Sequence, residues 1–294
     1  MSILMNCYNG VTYLKEAIDS IYSQYYQDWE IIFIDNCSTD GSADILNSYD
    51  NRIKYYLTSE TLPLGKARNF GLKKCYGEYI AFLDTDDIWL PQKLEKQIKN
   101  MDAGSYDIGY SAWASIDENG KLKKIHYLDS IVGDNLRCML RRYQVNFQTV
   151  ILKNTGNLQF DETLKYSPDY KLFLQVAVNN KILVQNDVLV KYRIHDHSLS
   201  KATMASWGFE AMKAIESLEK NNNLISQEYS KEIKIAKANA LYKNARYYME
   251  EERNLRRARD ILSKIKGIKF KFTVLFWLSM SPAAWSIAHR LKKY

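Results

Sequence analysis

The chain has 294 residues, of which 46% are hydrophobic and 26% charged, enough for one large domain or two ordinary ones with a proper core. The formal net charge is +7, and the seven lysines and arginines of residues 261–294, a stretch without Asp or Glu, equal that whole surplus. Because the remainder is balanced in charge, a basic nucleic-acid-binding face spread over the fold is disfavoured.

The four cysteines are scattered along the chain and form no C-x-x-C pair, so neither a zinc site nor a disulfide framework is indicated. We expect buried free thiols in a reducing compartment. The opening stretch SILMNCYNG is too short for a signal peptide and has no basic region before it. These two features predict a cytosolic location.

Strand and helix patterns alternate over about the first hundred residues. Strand-like apolar runs cover 3–5, 30–34, 53–57 and 79–83, and helical spacing is found at 14–22, 64–75 and 91–101. This alternation predicts an α/β fold with a largely parallel, doubly wound sheet. Such sheets bind ligands at the carboxyl ends of their strands, where Asp35 and the acidic stretch after residue 83 both lie.

The second half of the chain is more mixed. Residues 116–121 predict a turn between strands, 147–153 a strand, 169–180 an amphipathic helix after Pro168, and 182–195 further strands. Residues 203–265 have helical spacing without strand signals, and 234–265 are consistent with one helical hairpin.

Three carboxylates, Asp84, Asp86 and Asp87, follow the apolar strand in YIAFLDTDDIWLP. One Asp would be enough to cap the helix that Pro91 introduces. Three carboxylates repel one another by a few kcal/mol at an effective dielectric of about 20, so a positive partner is expected. A divalent cation with oxygen ligands is the simplest candidate, with helix capping as the alternative.

Four segments occur in the order found in family 2 glycosyltransferases of the GT-A fold: NCYNGVTYLKEAIDSI, EIIFIDNCSTDGS, GKARNFGLKKCYGEYIAFLDTDD and YKLFL…YRIHDHSLS. The resemblance covers about residues 1–200 and is specific because four separated motifs agree in order and spacing. It implies a Rossmann-like, mostly parallel central sheet flanked by helices, with a C-terminal helical extension. It also implies inverting, metal-dependent transfer of a sugar from a nucleoside-diphosphate sugar.

The resemblance assigns roles to individual residues. The implied nucleotide-binding residues are Asn6, Tyr8, Asp35, Arg68 and Asp84. The implied ligands of Mn²⁺ or Mg²⁺ are Asp84, Asp86 and His195, while Arg193 is assigned to the diphosphate and Asp169 to general-base catalysis. Two positions depart from the family pattern, because Asn36 replaces a common second Asp and Pro168 replaces a Glu before Asp169.

Each assignment has an ordinary structural alternative. Tyr8 could be a core aromatic, Asp35 the start of an Asx turn, and Asp169 a helix-start acid. Arg68 could be a structural partner of Asp35. Other polar positions have ordinary alternatives as well: Asp40 as a turn or cap residue, Gly65 and Lys66 as loop-shaping residues, and His197 as a surface histidine. Zinc at His195 and His197 is disfavoured because no Cys lies nearby.

Sugar transfer is the leading function. A nucleotidyltransferase that makes nucleotide sugars is an alternative, but it needs a glycine-rich loop with Arg and Lys after the first strand, where this chain has NCYNGVTY. A non-catalytic domain that binds nucleotide sugar or glycan is the other. A dehydrogenase is disfavoured because no G-x-G-x-x-G follows a strand.

The resemblance and the patterns divide the chain into three predicted parts. A GT-A domain covers 1–200, with a nucleotide-sugar half at 1–100 and an acceptor half at 101–200. A helical region covers 201–267, and a basic amphipathic tail covers 268–294. The expected partners are a nucleoside-diphosphate sugar, with UDP-sugar favoured, a glycan or lipid-linked oligosaccharide acceptor and an anionic membrane. A second copy of the chain is a further candidate partner, and nucleic acid is not expected.

Residues 272–288 contain no charged side chain, but 17 residues lie at the lower limit for a spanning helix, and Pro282 interrupts them. Positive charge on both sides predicts a segment lying in the membrane interface, with Phe276, Trp277 and Trp285 at the depth of the head groups. We therefore expect peripheral attachment to the cytosolic face of a bacterial inner membrane. The alternative is a helix packed on its own domain or on a dimer partner.

Overall fold

The computed structural model describes residues 1–129, 134–196, 204–281 and 283–285. The chain forms two compact units, one of Met1–Leu136 with Gln144–Asp196 and one of Arg137–Tyr143 with His197–Tyr294. The first unit holds the sheet, and the second is helical where it is described. The three-part division at residues 200 and 267 stays a prediction.

The strands of the first unit form one mixed sheet. They are β1 (Ser2–Cys7), β2 (Glu30–Asp35), β3 (Ile53–Leu57), β4 (Tyr79–Phe82), β5 (Ile88–Trp89), β6 (Ile108–Ile116), β7 (Leu122–His126), β8 (Ile151–Lys153) and β9 (Ile182–Arg193). Their order is β3-β2-β1-β4-β8-β6-β9-β5, with β7 paired to β6. The first four strands are mutually parallel, which confirms the doubly wound prediction for this half, while β8 pairs antiparallel with β4 and β6.

The helical stretches predicted from the sequence are found to within a few residues. They are α1 (Val11–Tyr22), α2 (Ser42–Ile45), α3 (Leu64–Leu72), α4 (Lys93–Gly104), α5 (Asn135–Arg141), α6 (Pro168–Asn179), α7 (Met204–Asn221), α8 (Asn223–Glu228), α9 (Ser230–Glu250), α10 (Leu255–Ile265) and α11 (Phe270–Leu278). The short helices α2 and α5 were not predicted. The predicted hairpin at 234–265 corresponds to α9 and α10, which pack on each other.

The strand predicted over 147–153 is wrong in its first half. Phe147–Thr149 is a 3-10 turn, and only Ile151–Lys153 is extended. The cause is local, because the Asn146 side chain accepts a hydrogen bond of 3.1 Å from the Gln148 N–H and closes the turn. This turn lies beside the candidate site.

Burial of the central strands explains why their sequences are continuous runs of apolar residues. Strands β1, β2 and β4 are buried on both faces, as in parallel sheets covered by helices. Strand β1 lies between β2 and β4, so the chain winds in opposite directions on its two sides. The carboxyl ends of these three strands therefore meet at a topological switch point, the usual ligand crevice of such sheets.

The helical unit has its own apolar core. Buried side chains from α9, α10 and α11 pack together there with Trp285, which follows α11, and they include Ala245, Tyr248, Leu262, Phe272, Leu275 and Phe276. One face of α11 thus lies in protein, as the alternative interpretation of the tail expects. The expected placement of Phe276 and Trp285 at the depth of the head groups is wrong, because both side chains are buried in this core, whereas Trp277 is exposed. Within the described parts of the chain, none of the helices combines the length and the hydropathy that crossing a bilayer requires.

All four cysteines are free thiols. Cys7 and Cys75 are buried, as expected, whereas Cys37 and Cys138 are half-buried. Burial raises the pKa of the Cys75 thiol to about 12, which leaves it protonated and unreactive at neutral pH.

Candidate active site

The loop after β1 is held tightly over the sheet edge. Asn9 adopts a left-handed conformation with φ of 55°, which Asn tolerates better than most residues, and its Oδ1 accepts a 2.8 Å hydrogen bond from the Thr39 N–H. A Cβ atom on Gly10 would lie 2.8 Å from Thr85 Oγ1. Gly10 is therefore required for the close approach between this loop and the acidic segment.

Asn6 lies in strand β1 just before this loop and Tyr8 lies in the loop, and their environments differ. The Tyr8 side chain is 58% exposed, so the core-aromatic alternative is wrong. The Asn6 Nδ2 atom is buried and has no hydrogen-bond acceptor in the described chain. Since a buried donor without a partner costs free energy, Asn6 is suited to an acceptor atom supplied by a ligand.

Asp35 ends β2 and is almost completely buried. Its Oδ1 accepts a 2.8 Å hydrogen bond from the Ser38 N–H, which is the turn that the structural alternative expected, and its Oδ2 accepts one of 2.8 Å from Tyr55 Oη. Burial and the Asp35 carboxylate raise the Tyr55 pKa to about 12. Asn36 has a structural role, because its amide bonds both the N–H and the carbonyl of Leu62.

Asp40 is a capping residue, as expected from the sequence. Its carboxylate accepts hydrogen bonds of 3.0 Å from the Val11 N–H at the start of α1 and from the Ser42 N–H. Nothing in this arrangement points to a ligand.

Arg68, in α3, joins two carboxylates that are far apart in sequence. Its Nη2 lies 3.5 Å from Asp84 Oδ1, and its Nη1 lies 3.9 Å from Asp169 Oδ1. The guanidinium is buried 3.8 Å from the centre of the Phe147 ring. Its ion pairs are thus with Asp84 and Asp169 rather than with Asp35, and its contact with a base stays a prediction.

Two residues of the 3-10 turn were not anticipated. The Gln148 side chain donates a 2.6 Å hydrogen bond to Asp84 Oδ2, and Phe147 packs under Arg68 and stacks 4.5 Å from Phe82. The turn therefore orients Asp84 from the side opposite the guanidinium. The Asn146 cap of this turn is local, but its contacts with Asp84, Arg68 and Phe82 reach across the fold, so no spacing pattern in the sequence marks them.

Asp86 lies in a second environment, beside β9. Its Oδ2 is 2.9 Å from His195 Nε2, and the His195 ring packs 5.3 Å from that of Tyr13. Burial, together with the Asp84 carboxylate, raises the Asp86 pKa. Asp87 is completely buried, and burial with the charges of Asp86 and Asp84 raises its pKa well above the usual range.

Arg193 is buried and uses its guanidinium inside the protein. Its Nε donates to the Asp86 carbonyl at 3.0 Å, its Nη1 to the Glu118 carbonyl at 2.9 Å, and its Nη2 to Glu16 Oε2 at 2.5 Å. Its backbone N–H also donates to Asp87 Oδ1 at 2.7 Å. These contacts favour a positioning role, and the predicted diphosphate contact is untested.

Asp169 lies in the first turn of α6, directly after Pro168, with about a quarter of its side chain exposed. It thus has the position of a helix-start acid and also faces Arg68. The nearby Asp161 is engaged elsewhere, since its carboxylate pairs with Lys171 and accepts a 2.8 Å hydrogen bond from the Thr163 N–H. Despite its burial, these contacts lower the pKa of Asp161.

The donor set suits a cation shared between protein and ligand. Among the described residues, no group of three or more His, Cys, Asp or Glu side chains forms a complete metal cage. Asp86 and His195 nevertheless offer an oxygen and a nitrogen at one point, where Asp86 Oδ2 lies 2.9 Å from His195 Nε2. These residues fit a divalent cation whose remaining ligands come from a diphosphate. His197 lies outside the described residues.

A parallel switch-point sheet with clustered carboxylates at its strand ends defines an enzyme of the GT-A class. The structure resembles that of S. aureus TarS 1-349 in complex with UDP-GlcNAc, with a TM-score of 0.66 and 17% identity over 90% of this chain and 81% of that one. It also resembles the mannosyltransferase PcManGT from Pyrobaculum calidifontis in complex with GDP-Man and Mn²⁺, with a TM-score of 0.58 and 13% identity over 100% and 87% of the two chains.

The chain belongs to glycosyl transferase family 2, whose family model matches residues 2–174, and is a glycosyltransferase. It is 30% identical to the putative teichuronic acid biosynthesis glycosyltransferase TuaG of Bacillus subtilis over 70% of this chain and 85% of that protein. It is 32% identical to the Escherichia coli glucosyltransferase WfgD over 68% and 79%. An uncharacterised glycosyltransferase of Rickettsia typhi is 31% identical, over 67% of this chain and 64% of the relative. The predicted family and fold are confirmed.

Proposed function

We propose that this enzyme transfers a sugar from a nucleoside-diphosphate sugar to a hydroxyl of a glycan acceptor, with inversion, in bacterial surface polysaccharide or oligosaccharide synthesis. The observation that carries the proposal is the Arg68 cluster, which brings Asp84 at the end of β4 together with Asp169 in α6. Two carboxylates more than eighty residues apart in the sequence thus face the same guanidinium, which supports a shared site for donor and acceptor.

The reaction is a single displacement at the anomeric carbon. Asp169 takes the proton of the acceptor hydroxyl as its oxygen bonds to the sugar carbon, and the bond from that carbon to the phosphate oxygen breaks. Asp86 and His195 would hold a divalent cation, Mn²⁺ or Mg²⁺, which would supply positive charge for the leaving diphosphate. Asp84, whose oxygens face Arg68 and Gln148, orients the nucleotide.

Donor and acceptor are inferred from relatives. A UDP-sugar is favoured because TarS was crystallised with UDP-GlcNAc and with UDP, and because WfgD is named a UDP-Glc transferase. The PcManGT complex, which contains GDP-Man, keeps GDP-sugars as the second candidate. WfgD is named for α-D-GlcNAc-diphosphoundecaprenol as its acceptor, which supports a lipid-linked oligosaccharide here.

A lipid-linked acceptor places the enzyme at a membrane. The segment 268–294 is the proposed attachment site, at the cytosolic face of a bacterial inner membrane. Its support is the absence of Asp and Glu from 261–294 and the exposed side chains of Phe270 and Trp277. Anionic lipid attracts such a basic segment by about 1 kcal/mol per Lys or Arg near the surface.

A donor screen tests the proposed function. The purified protein with Mn²⁺ or Mg²⁺ and a panel of UDP-, GDP- and dTDP-sugars should release nucleoside diphosphate from one class of donor. Pyrophosphate formed from a sugar phosphate and a nucleoside triphosphate would instead identify a nucleotidyltransferase. Metal-dependent binding of nucleotide sugar without any turnover, also with lipid-linked acceptors, would identify a non-catalytic binding domain.

A further inference from the structure

Helix α11 has two apolar faces. Phe272, Leu275 and Phe276 belong to the core of the helical unit. Phe270, Val274 and Trp277 are spaced by four and three residues, so they lie together on the opposite face. A soluble helix normally has polar residues on the face away from its core, and α11 does not.

The outward face of α11 is exposed in the folded chain. The side chains of Phe270 and Trp277 are 86% and 64% exposed, and Val274 and the following Met280 are also exposed. A contiguous exposed strip with a Phe and a Trp at its centre marks an interaction surface. Trp is also the side chain most suited to the boundary between head groups and acyl chains.

The charge around this strip selects its partner. Lys264, Lys266 and Lys271 are exposed in α11 or in the residues just before it, and no Asp or Glu occurs in residues 261–294. Lys266 and Lys271 lie over aromatic rings of the same unit, with Nζ 4.8 Å from the ring centre of Phe276 and 5.2 Å from that of Tyr242. The aliphatic parts of the Lys266 and Lys271 side chains thus cover apolar surface, while their ammonium groups lie at the edge of that surface.

A second copy of the chain fits this surface poorly, because two such faces would bring the lysines of both tails together, and residues 261–294 contain no carboxylate side chain to compensate them. A surface of anionic phosphates over hydrocarbon matches both the lysines and the strip. We infer that Phe270, Val274 and Trp277 form the lipid-contact face of the enzyme, and this inference rests on the proposed membrane location. Helix α11 lies flat in the interface of an anionic bilayer, with its other face still in the protein core.

Point substitutions on the outward face test this inference in the full-length protein. Trp277→Ser and Phe270→Ser should each weaken binding to phosphatidylcholine vesicles containing phosphatidylglycerol by at least about ten-fold, since each removes a large side chain from lipid. Leu224→Ser is the matched control, because Leu224 is exposed in α8 of the same unit and outside the tail. Vesicles of phosphatidylcholine alone should bind the unchanged protein weakly.

The outcomes separate the inference from the proposed location. If the unchanged protein binds the anionic vesicles and Trp277→Ser binds equally well, the lipid-contact face is wrong while membrane attachment stands. If the unchanged protein binds no vesicle but turns over donor and a soluble acceptor, the proposed location fails and the inference with it. A dimer in sedimentation that Trp277→Ser dissociates, or a lower melting temperature of lipid-free Trp277→Ser, assigns the face to protein and overturns the inference.

Discussion

At the scale of single residues, Asp84 and Asp86 are two positions apart and have different partners. Asp84 lies between Arg68 and Gln148, whereas Asp86 faces His195. Positive charge and a donated hydrogen bond thus compensate Asp84 within the protein. Among the described residues, Asp86 pairs with the His195 imidazole and not with an Arg or Lys side chain, which makes it the better candidate for a cation ligand.

Asp86→Ala should weaken metal-dependent nucleotide binding by more than about 100-fold, because removing a direct ligand costs more than removing a supporting one. The apo protein should remain folded, since a carboxylate near Asp84 and Asp87 is lost. Calorimetric titration of nucleoside diphosphate with and without Mn²⁺ measures the effect, with exposed Asp28→Ala as the control. Unchanged metal dependence in Asp86→Ala would remove Asp86 from the metal site.

Asp169→Asn preserves the shape of the proposed base and removes its basicity. Turnover should fall by about 10² to 10⁴-fold while the affinity for nucleoside diphosphate stays within a few-fold, because a base acts on the transition state. Steady-state kinetics and equilibrium binding give the two numbers. Near-normal turnover would move the search for a base to Asp161 or Glu162.

Arg193 and Glu16 provide a test of positioning against diphosphate binding. If Arg193 holds the backbone of Asp86, then Arg193→Lys should weaken Mn²⁺-dependent nucleotide binding about 10 to 100-fold, as losses of supporting contacts do. Glu16→Gln, which removes the ion pair at the half-exposed Glu16, should act in the same direction and less strongly.

The affinity of each variant for nucleoside diphosphate in the absence of metal is the control measurement. A positioning role leaves that affinity nearly unchanged. If Arg193→Lys loses metal-independent affinity and Glu16→Gln has no effect, the diphosphate role is correct.

At the scale of elements, helix α4 begins with a buried lysine side chain that the sequence did not predict. Lys93 begins this helix, is fully buried, and its Nζ has no hydrogen-bond partner in the described chain, although it lies 4.2 Å from the centre of the Trp89 ring. Burial lowers the Lys93 pKa well below its usual value. Lys93, a charged residue in the first turn of a predicted helix, therefore lies inside the protein.

Lys93→Met should raise the free energy of unfolding at pH 7 by about 1–3 kcal/mol, because it replaces a poorly compensated buried amine with an apolar chain of similar length. The pH dependence has a definite sign. Since the folded pKa is depressed, the unfolded chain binds more protons at Lys93 than the folded chain does between the two pKa values, so Lys93 becomes less destabilising as the pH rises toward about 10.4. Urea unfolding at pH 7 and pH 10 measures both, and an equal or lower stability of Lys93→Met at pH 7 contradicts the expectation.

At the scale of the whole molecule, the tail is part of the fold as well as a candidate surface. Truncation after Gly267 removes Phe272, Leu275, Phe276 and Trp285 from the helical core. The helical unit should lose at least about 3 kcal/mol of unfolding free energy, because burying each such side chain contributes about 1.5–3 kcal/mol. Thermal unfolding followed by circular dichroism measures this, with Trp277→Ser as the stable control. An unchanged transition would show that α11 does not support the core.

The sequence by itself determined the alternating half of the fold and the places where its strands end. The spacing of apolar residues is a local property of the sequence, and it predicts the strands and helices. Because alternating strands and helices form a parallel sheet, Asp35 and Asp84 at the ends of two strands are expected at one edge. The four ordered motifs also identified the family. These inferences need only residues close in sequence or rules that hold for every such sheet.

Only the tertiary structure decided what each charged side chain faces. Arg68 pairs with Asp84 and Asp169, Arg193 turns inward to Glu16, and Lys93 is buried. The turn that brings Gln148 to Asp84 interrupts a stretch predicted as a strand. Such partners come from segments up to 177 positions apart, and the energy of a charge depends on its distance to them and on its burial, neither of which is a property of the local sequence.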